Sequence, residues 1–334
     1  MAFLRAGARI IMTSTYQAAV TTFKKAGYSK IVATDTMVKS VHLANEARET
    51  FVHENPGQDV KIALSLGPFG ATLSPPQEFA GYYPPPYGPM GYLQSDDMYN
   101  SFRTDDTEGE EKSIEALARF HLERLLVFAR DPETWGMIDI VAFETVPLVR
   151  EAFAIRKAMV DLKNTLTAEG IEFVQKPWWI SFVLPGGQSP QKTNEGQCKT
   201  VLDIVYTTFS ARMASGDREL PRPSGIGINC TAPEFISGLV DEYAHAIKSL
   251  DTPGCLRPWL IIYPDAGDVY DILTRSWLVA SKDAKHSWAV DLKNVVHAAQ
   301  TEQYGVWSGF VVGGCCRTGP DLIQRLKELV FPGD

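Results

Sequence analysis

Short β-branched and apolar runs alternate along the chain with longer segments of helical periodicity. This alternation is typical of a parallel α/β sheet or barrel, because each buried strand is followed by a helix. Seven runs are predicted to be strands: 8–15, 60–66, 138–144, 178–184, 225–230, 259–263 and 310–314. That is one strand fewer than a (β/α)8 barrel contains.

Two segments show the periodicity of amphipathic helices. In residues 113–130 one stripe includes His121, which is therefore predicted to be a helix-face residue rather than a metal ligand. The last helix is predicted to begin at Pro320, since cap-type residues precede a proline suited to the first helical turn. Its apolar stripe comprises Leu322, Ile323, Leu326, Leu329 and Val330.

One long segment lacks both periodicities. Residues 74–90 are rich in proline and tyrosine, and residues 96–111 are acidic. We interpret 74–111 as a surface excursion of a single domain that spans 1–334. Such loops at the catalytic end of a barrel are often lids, and a static surface loop is the alternative.

Composition agrees with a soluble, reduced, cytoplasmic enzyme. The 334 residues suffice for one large domain, and the net charge of -8 argues against nucleic acid as a partner, because phosphate binding needs a basic face. No apolar stretch is long enough to span a bilayer, which argues against a membrane partner. Five cysteines, an odd number in a large chain, do not suggest a secreted disulfide framework.

Two of the strand runs end abruptly in glycine and cysteine. Cys230 and the pair Cys315-Cys316 therefore stand where a buried strand gives way to a loop, as catalytic residues of α/β barrels do. The following helix N-terminus and Arg317 are both expected to favour thiolates, the form that a metal ligand requires. These cysteines form a candidate three-thiolate zinc site. The residues alone leave an alternative, since buried free cysteine often packs as a hydrophobe and adjacent cysteines lack Cys-x-x-Cys spacing.

Ordered motifs elsewhere in the chain match those of a known family. They are Phe3-Leu4-Arg5-Ala6-Gly7-Ala8, Thr13-Ser14-Thr15-Tyr16-Gln17-Ala18, Gly67-Pro68-Phe69-Gly70-Ala71, Phe143-Glu144-Thr145-Val146-Pro147, Gly227-Ile228-Asn229-Cys230-Thr231-Ala232-Pro233 and Tyr263-Pro264-Asp265-Ala266-Gly267. With the cysteine pair, they make the chain resemble the homocysteine S-methyltransferases over nearly its whole length. The resemblance implies a TIM (β/α)8-type barrel with one zinc ion per chain at Cys230, Cys315 and Cys316.

The family normally opens with an Asp-Gly-Gly strand, and this sequence begins after the point where that strand would stand. We therefore expect the N-terminal first strand to be missing from this chain. In the family, the aspartate of that strand also holds homocysteine, so weaker homocysteine binding is expected. Arg5 and Arg9 without an early acid also occur in transit peptides, but here they fall in a helix-to-strand segment of the resembled fold.

The resemblance implies zinc-dependent methyl transfer from a sulfonium donor to the thiol of homocysteine, which gives methionine. Three thiolates leave one position on zinc for that thiol. Glu144 ends a strand in which Ile140 and Ala142 share its face, and by resemblance it binds the amino group of homocysteine. The alternative role is a strand-end acid bonded to a loop backbone.

The motifs are more typical of the branch that uses S-methylmethionine or S-adenosylmethionine than of the branch that uses betaine. Asp265 and Ser14 stand where the family more often has asparagine, which leaves donor preference open. Four aromatic residues are candidates for cation–π contact with a sulfonium, with ordinary packing as the alternative: Tyr16, Phe69, Tyr82 and Tyr83.

Two other classes of protein remain. A zinc-binding but catalytically inactive relative would keep the three cysteines while lacking the first strand. A thiol-redox protein would use the cysteine pair as an oxidisable couple. The strained ring of an adjacent disulfide and the absence of Cys-x-x-Cys argue against the second class.

Overall fold

The computed structural model describes residues 1–334 except 96–97, 194, 211–219, 251–256, 272–275, 279–281, 304 and 332–334. The described residues form an α/β fold. Its helices are α1 Ala2–Arg5, α2 Val20–Lys25, α3 Lys30–Glu54, α4 Thr107–Ala129, α5 Pro132–Met137, α6 Val149–Ala168, α7 Val201–Phe209, α8 Ile236–Ser249, α9 Lys282–Thr301 and α10 Pro320–Val330. Its strands are β1 Ile10–Met12, β2 Lys61–Leu66, β3 Ile140–Val146, β4 Trp178–Phe182, β5 Gly225–Asn229, β6 Trp259–Tyr263, β7 Val269–Asp271, β8 Ser276–Leu278 and β9 Gly309–Val312.

Seven strands form one parallel sheet in the order β1-β2-β3-β4-β5-β6-β9. This confirms the seven predicted strands, although β1 covers only three residues of the predicted run 8–15 and β3 continues two residues past Glu144. Strands β7 and β8, which the sequence did not predict, pair antiparallel outside this sheet. No described helix is both long and apolar enough to span a membrane.

The sheet is curled. In a flat sheet, Glu144 on β3 and Tyr263 on β6 would be about 14 Å apart, because neighbouring strands lie about 4.8 Å apart. Here their side chains are hydrogen-bonded, and Ala63, Ile140 and Ile261 belong to one buried cluster on the inner face. Among the described residues β1 and β9 remain the two edges, so the sheet forms an open part of a barrel.

The two faces of β3 serve different parts of the core. Val141 and Phe143 pack in the main hydrophobic cluster between the sheet and its helices. Ile140 and Ala142 point to the inner cluster. The alternation expected for a parallel strand places Glu144 on the inner face as well.

The segment between β2 and α4 differs from the predicted surface excursion in two respects. Helix α4 begins at Thr107, six residues before the predicted start, because Asp106 caps it and accepts a hydrogen bond from the Gly109 amide. The acidic residues Glu108 and Glu110 therefore lie in its first turn, where they complement the helix dipole. The segment also contains buried side chains, among them Gln77, Tyr83 and Asn100, so it packs against the rest of the protein and is not only a surface loop.

A buried polar cluster provides much of that anchoring. Glu151 on α6 accepts hydrogen bonds from the Phe69 amide at 2.7 Å and the Tyr83 hydroxyl at 2.7 Å. His121 on α4 also contacts this carboxylate, with Nε2 at 2.9 Å from Oε1, and burial lowers the pKa of the imidazole. His121 is thus a packed helix residue that joins α4 to α6 and to the loop.

Candidate metal and substrate site

Three cysteines meet at the carboxyl end of the sheet. Cys230 directly follows β5, and Cys315 and Cys316 follow β9 after two glycines. Strand β6 lies between β5 and β9, and its end holds both cysteine loops. The Cys230 amide donates to the Tyr263 carbonyl at 3.3 Å, and the Cys315 amide donates to the Pro264 carbonyl at 2.8 Å. The three sulfur atoms lie within 4.8 Å of one another.

One pair of these sulfurs has the spacing expected of two ligands of a tetrahedral metal ion. A zinc–sulfur bond of about 2.3 Å implies a separation of about 3.8 Å between two thiolate ligands. The sulfurs of Cys230 and Cys316 lie 3.7 Å apart. Those of Cys230 and Cys315 are at bonding distance, as in a disulfide. Three cysteine thiolates in their reduced form therefore suit a soft divalent ion. The two cysteines placed to form a disulfide are Cys230 and Cys315, not the adjacent residues Cys315 and Cys316.

The electrostatics around Cys316 differ from the sequence expectation. Burial raises the pKa of its thiol, and the carboxylates of Asp265, Glu78 and Glu144 raise it further. Arg317 does not offset this, because its guanidinium Nε donates to the fully buried carboxylate of Asp268 at 3.1 Å. The pKa of the Cys316 thiol is thus raised, although Arg317 and the helix N-terminus were expected to lower it, and a bound metal would have to displace the proton.

Glu144 lies on the inner face of the sheet and is 7% exposed. Its carboxylate accepts hydrogen bonds from the hydroxyl of Ser65 on β2 and from the hydroxyl of Tyr263 on β6. Burial raises its pKa, and these two donors together with Arg124 lower it in part. The site therefore contains a preorganised carboxylate close to the cysteines, which can accept a cationic group.

Asn229 connects the strand that bears Glu144 to the cysteine cluster. Its side-chain oxygen accepts hydrogen bonds from the Thr145 amide and the Ser181 hydroxyl, and its amide nitrogen donates to the Thr145 hydroxyl. The same nitrogen lies 3.9 Å from the sulfur of Cys315. Asn229 and its partners were not predicted to be site residues, although Asn229 lies inside a matched motif.

Backbone strain is concentrated at this end of the sheet. Thr145, Cys230 and Arg317 are the described residues other than glycine that have positive φ angles, of 60°, 47° and 65°. Such conformations cost on the order of 1–3 kcal/mol each and persist where the surroundings determine them. Thr145 and Cys230 lie at the ends of β3 and β5, and Arg317 directly follows Cys316.

The four aromatic candidates divide into two groups. The Tyr16 hydroxyl is hydrogen-bonded to Thr145, and burial followed by the charge of Glu78 raises its pKa. Tyr82 is half-buried and pairs loosely with Tyr92. Phe69 and Tyr83 instead pack in a separate hydrophobic cluster, where Tyr83 is fully buried. The packing interpretation is therefore correct for these last two residues.

The two positions that depart from the family pattern lie in different surroundings. Asp265 is half-buried, its carboxylate accepts a hydrogen bond from the Gly267 amide, and its charge raises the pKa of Cys316. Ser14 is exposed. Of the two cysteines outside the motifs, Cys198 is a free, half-buried thiol. Cys255 lies outside the described residues.

The chain is similar to known proteins over its whole length. The profile of a family described as homocysteine S-methyltransferase matches residues 1–330. Homocysteine S-methyltransferase 3 of Zea mays is 28% identical over 340 residues, which are 100% of this chain and 79% of that protein. Homocysteine S-methyltransferase 1 of Arabidopsis thaliana is 28% identical over 335 residues, 98% of this chain and 80% of that protein.

A solved structure shares the fold. The metallated form of the homocysteine methyltransferase MmuM from Escherichia coli matches with a TM-score of 0.61 at 24% identity. The match covers 98% of this chain and 81% of that one. At this level of identity, the likeness establishes the arrangement of strands and helices.

Proposed function

The chain belongs to the homocysteine S-methyltransferase family and is a methyltransferase, and from this premise we propose that it methylates homocysteine at a zinc site formed by Cys230, Cys315 and Cys316. The methyl donor is a sulfonium compound, S-methylmethionine or S-adenosylmethionine. The observation that supports this best is the meeting of three cysteine sulfurs within 4.8 Å beside a buried carboxylate.

Zinc, when bound, supplies a Lewis acid that favours the deprotonated thiol of homocysteine at neutral pH. The ligands that would hold it are the three thiolates, which together with one divalent ion carry a net charge of about -1. Such a set leaves one position for the substrate thiol. One zinc ion per chain is expected.

Glu144 orients homocysteine in this proposal. Its carboxylate, held by Ser65 and Tyr263, accepts the substrate ammonium group. Charge-assisted hydrogen bonds of this kind are stronger than neutral ones and fix direction. With the amino end held on β3, the thiol of homocysteine lies toward the cysteines at the ends of β5 and β9.

The reaction is a single displacement at carbon. The homocysteine sulfur forms a bond to the methyl carbon while the bond from that carbon to the donor sulfonium breaks. The thiol proton is released to water, and the donor leaves as a neutral thioether. S-Methylmethionine would thus yield two molecules of methionine, one from the acceptor and one from the donor.

The direct test is methionine formation by the purified, reduced and zinc-reconstituted chain. With methyl-labelled S-methylmethionine or S-adenosylmethionine and unlabelled homocysteine, the label should appear in methionine. Replacing Cys230, Cys315 or Cys316 with serine should abolish this transfer, whereas Cys198→Ser should not, because Cys198 lies outside the cluster. Near wild-type activity in any of the first three variants would remove that cysteine from the site.

The same assay separates the enzyme from the inactive relative of the family. An inactive relative would bind zinc through the same cysteines and give no labelled methionine with either donor. The intact network around Glu144 favours the active enzyme, since a buried carboxylate without a ligand to neutralise it costs stability. More labelled methionine from the wild-type chain than from the Cys316→Ser variant would show that the chain is an active methyltransferase and not an inactive relative.

The proposal extends to the molecule as a whole. We propose that the curled sheet supplies seven of the eight strand positions of a TIM (β/α)8-type barrel within one domain that spans 1–334. A cytoplasmic location is part of the proposal, because three thiols that must stay reduced require a reducing compartment. Neither nucleic acid nor membrane is proposed as a partner.

A further inference from the structure

A second carboxylate acts on the cysteine cluster from the loop between β2 and α4. Glu78 is half-buried, and its Oε2 atom is inaccessible to solvent without a hydrogen-bond partner among the described residues. Its charge raises the pKa of both Tyr16 and Cys316, so the carboxylate lies near enough to act on both side chains. Glu144 and Asp265 also act on Cys316, so the side chains that surround its thiol are mainly acidic.

The backbone that presents Glu78 is held in place. The Gln77 amide donates to the Gly70 carbonyl at 2.9 Å, and the Gly81 amide donates to the Gln77 carbonyl at 2.8 Å. A side chain at Gly70 would stand 2.7 Å from the Gln77 carbonyl carbon. Glu78 therefore projects from a turn that is packed against the start of the same loop.

Tyr16 is positioned by the other end of this loop. The Gly67 amide donates to the Tyr16 carbonyl at 3.0 Å, and a side chain at Gly67 would collide with the Tyr16 ring. The four backbone carbonyls that bind Arg124 include those of Tyr16 and Gly67. One loop therefore fixes both the Tyr16 ring and the turn that carries Glu78.

Among the described residues, no cation is one of the groups that shift the pKa of Glu78. Arg124 is buried, with its guanidinium hydrogen-bonded to four backbone carbonyls, and Arg317 donates to Asp268. A buried carboxylate without a compensating charge is unfavourable. Burial accordingly raises the pKa of Glu78, and a cationic ligand would favour its ionised form.

We propose that Glu78 binds the positively charged end of the methyl donor, with the ring of Tyr16 beside it, and thereby selects a sulfonium over the corresponding neutral thioether. This inference rests on the proposed function, because it assigns the second substrate of the same site. Glu144 is already engaged at the inner face of the sheet, where it serves homocysteine. Glu78 instead lies on the loop between β2 and α4 and is only half-buried.

A sulfonium suits this pairing. It carries a full positive charge but has no N–H to donate. Its favourable partners are therefore a negative charge or the face of an aromatic ring, and it needs no hydrogen bond. The charge disappears when the methyl group leaves. A carboxylate that favours the cation therefore also favours exchange of the neutral product for a new donor.

The test compares Glu78→Gln, which keeps the shape of the side chain and removes its charge, with Glu46→Gln as a control. Glu46 is exposed on α3 and undergoes the same chemical change. Binding of S-methylmethionine and of methionine, its neutral thioether, is measured by calorimetry on the zinc-loaded protein. Glu78→Gln should weaken binding of S-methylmethionine about 30-fold and leave binding of methionine within about threefold.

Steady-state kinetics provides the second readout. In Glu78→Gln the KM for S-methylmethionine should rise while the KM for homocysteine and the zinc content stay at the level of Glu46→Gln. Glu78→Asp should restore part of the preference for the sulfonium, and Glu78→Ala should repeat the loss if the glutamine variant folds poorly. Equal loss of affinity for the sulfonium and the thioether, or a rise confined to the homocysteine KM, would overturn the assignment.

Failure of this inference is distinguishable from failure of the proposed function. If the wild-type chain transfers methyl groups and Glu78→Gln matches Glu46→Gln in both readouts, only the role of Glu78 is wrong. If the wild-type chain and Glu46→Gln both fail to form methionine with either sulfonium donor, the proposed function itself is wrong, and the role of Glu78 is overturned with it.

Discussion

The Glu144 carboxylate accepts hydrogen bonds from two hydroxyl groups on different strands. Ser65 and Tyr263 hold its carboxylate, and Arg124 stabilises its charge from a distance. Replacement by glutamine keeps the size and part of the hydrogen bonding but removes the charge that we assign to the homocysteine ammonium. We predict that Glu144→Gln raises the KM for homocysteine by about 30-fold, which corresponds to loss of one buried charge pair.

The metal provides the control for that prediction. Glu144 is not a metal ligand in our assignment, so zinc content should stay at the wild-type level. Elemental analysis of the purified variant measures it alongside the kinetics. Loss of zinc, or a homocysteine KM equal to that of the wild-type chain, would contradict the role of Glu144.

Cys316 gives the site a defined dependence on pH. Burial and three carboxylates raise the pKa of its thiol, so the metal-free chain keeps this proton at neutral pH. Metal binding must release it, and the apparent affinity for zinc should therefore rise with pH, by about tenfold per unit for this proton. Competition with a chromophoric chelator at about pH 6.5 and about pH 7.5 measures the change. Equal affinities after correction for the chelator would show that Cys316 is already a thiolate.

At the scale of elements, the loop between β2 and α4 contains Glu78 and two closely packed glycines, Gly67 and Gly70. A methyl group at Gly70 would stand 2.7 Å from the Gln77 carbonyl carbon and from the Tyr83 ring. We predict that Gly70→Ala displaces the turn, lowers stability by about 1–3 kcal/mol and raises the KM for the donor more than that for homocysteine. Thermal unfolding and steady-state kinetics measure the two effects.

Helix α5 offers a matched control for this substitution. Gly136 has no atom within 4 Å of an added methyl group. Gly136→Ala should therefore be neutral or stabilise the chain by about 0.5–1 kcal/mol, because alanine loses less backbone entropy in a helix. If both variants behave alike, the loop is not anchored at Gly70 as described.

The elements themselves were largely predictable. Strands β2 to β6 coincide with the predicted β-branched runs because nearly all of their residues are buried, whichever face they point to. Strand β9 was also predicted from its apolar run, although its residues are only half-buried. The start of α4 was misplaced because Asp106 and the acids after it look like a polar loop in sequence, yet they cap the helix and form its first turn. The hairpin of β7 and β8 was missed because its runs are only three residues long.

At the scale of the whole molecule, the candidate site depends on contacts that only the curled sheet creates. The three cysteines were predictable, since each follows a strand whose carboxyl end lies at the catalytic edge. Ser65, Glu144 and Tyr263 come from β2, β3 and β6, and no local pattern indicates that they share one hydrogen-bonded group. Glu78 was missed for a related reason, because its importance lies in a missing partner that only three-dimensional burial reveals.

The central claim is that three cysteines from two strand ends hold one zinc ion in this chain. Elemental analysis of freshly purified, reduced protein tests it most directly, with Cys316→Ser as the disrupted site and Cys198→Ser as the matched control. We predict about one zinc per chain in the wild-type and Cys198→Ser proteins and a clear loss in Cys316→Ser. Wild-type protein that stays free of zinc after reconstitution, or a Cys316→Ser variant that keeps it, would contradict this claim.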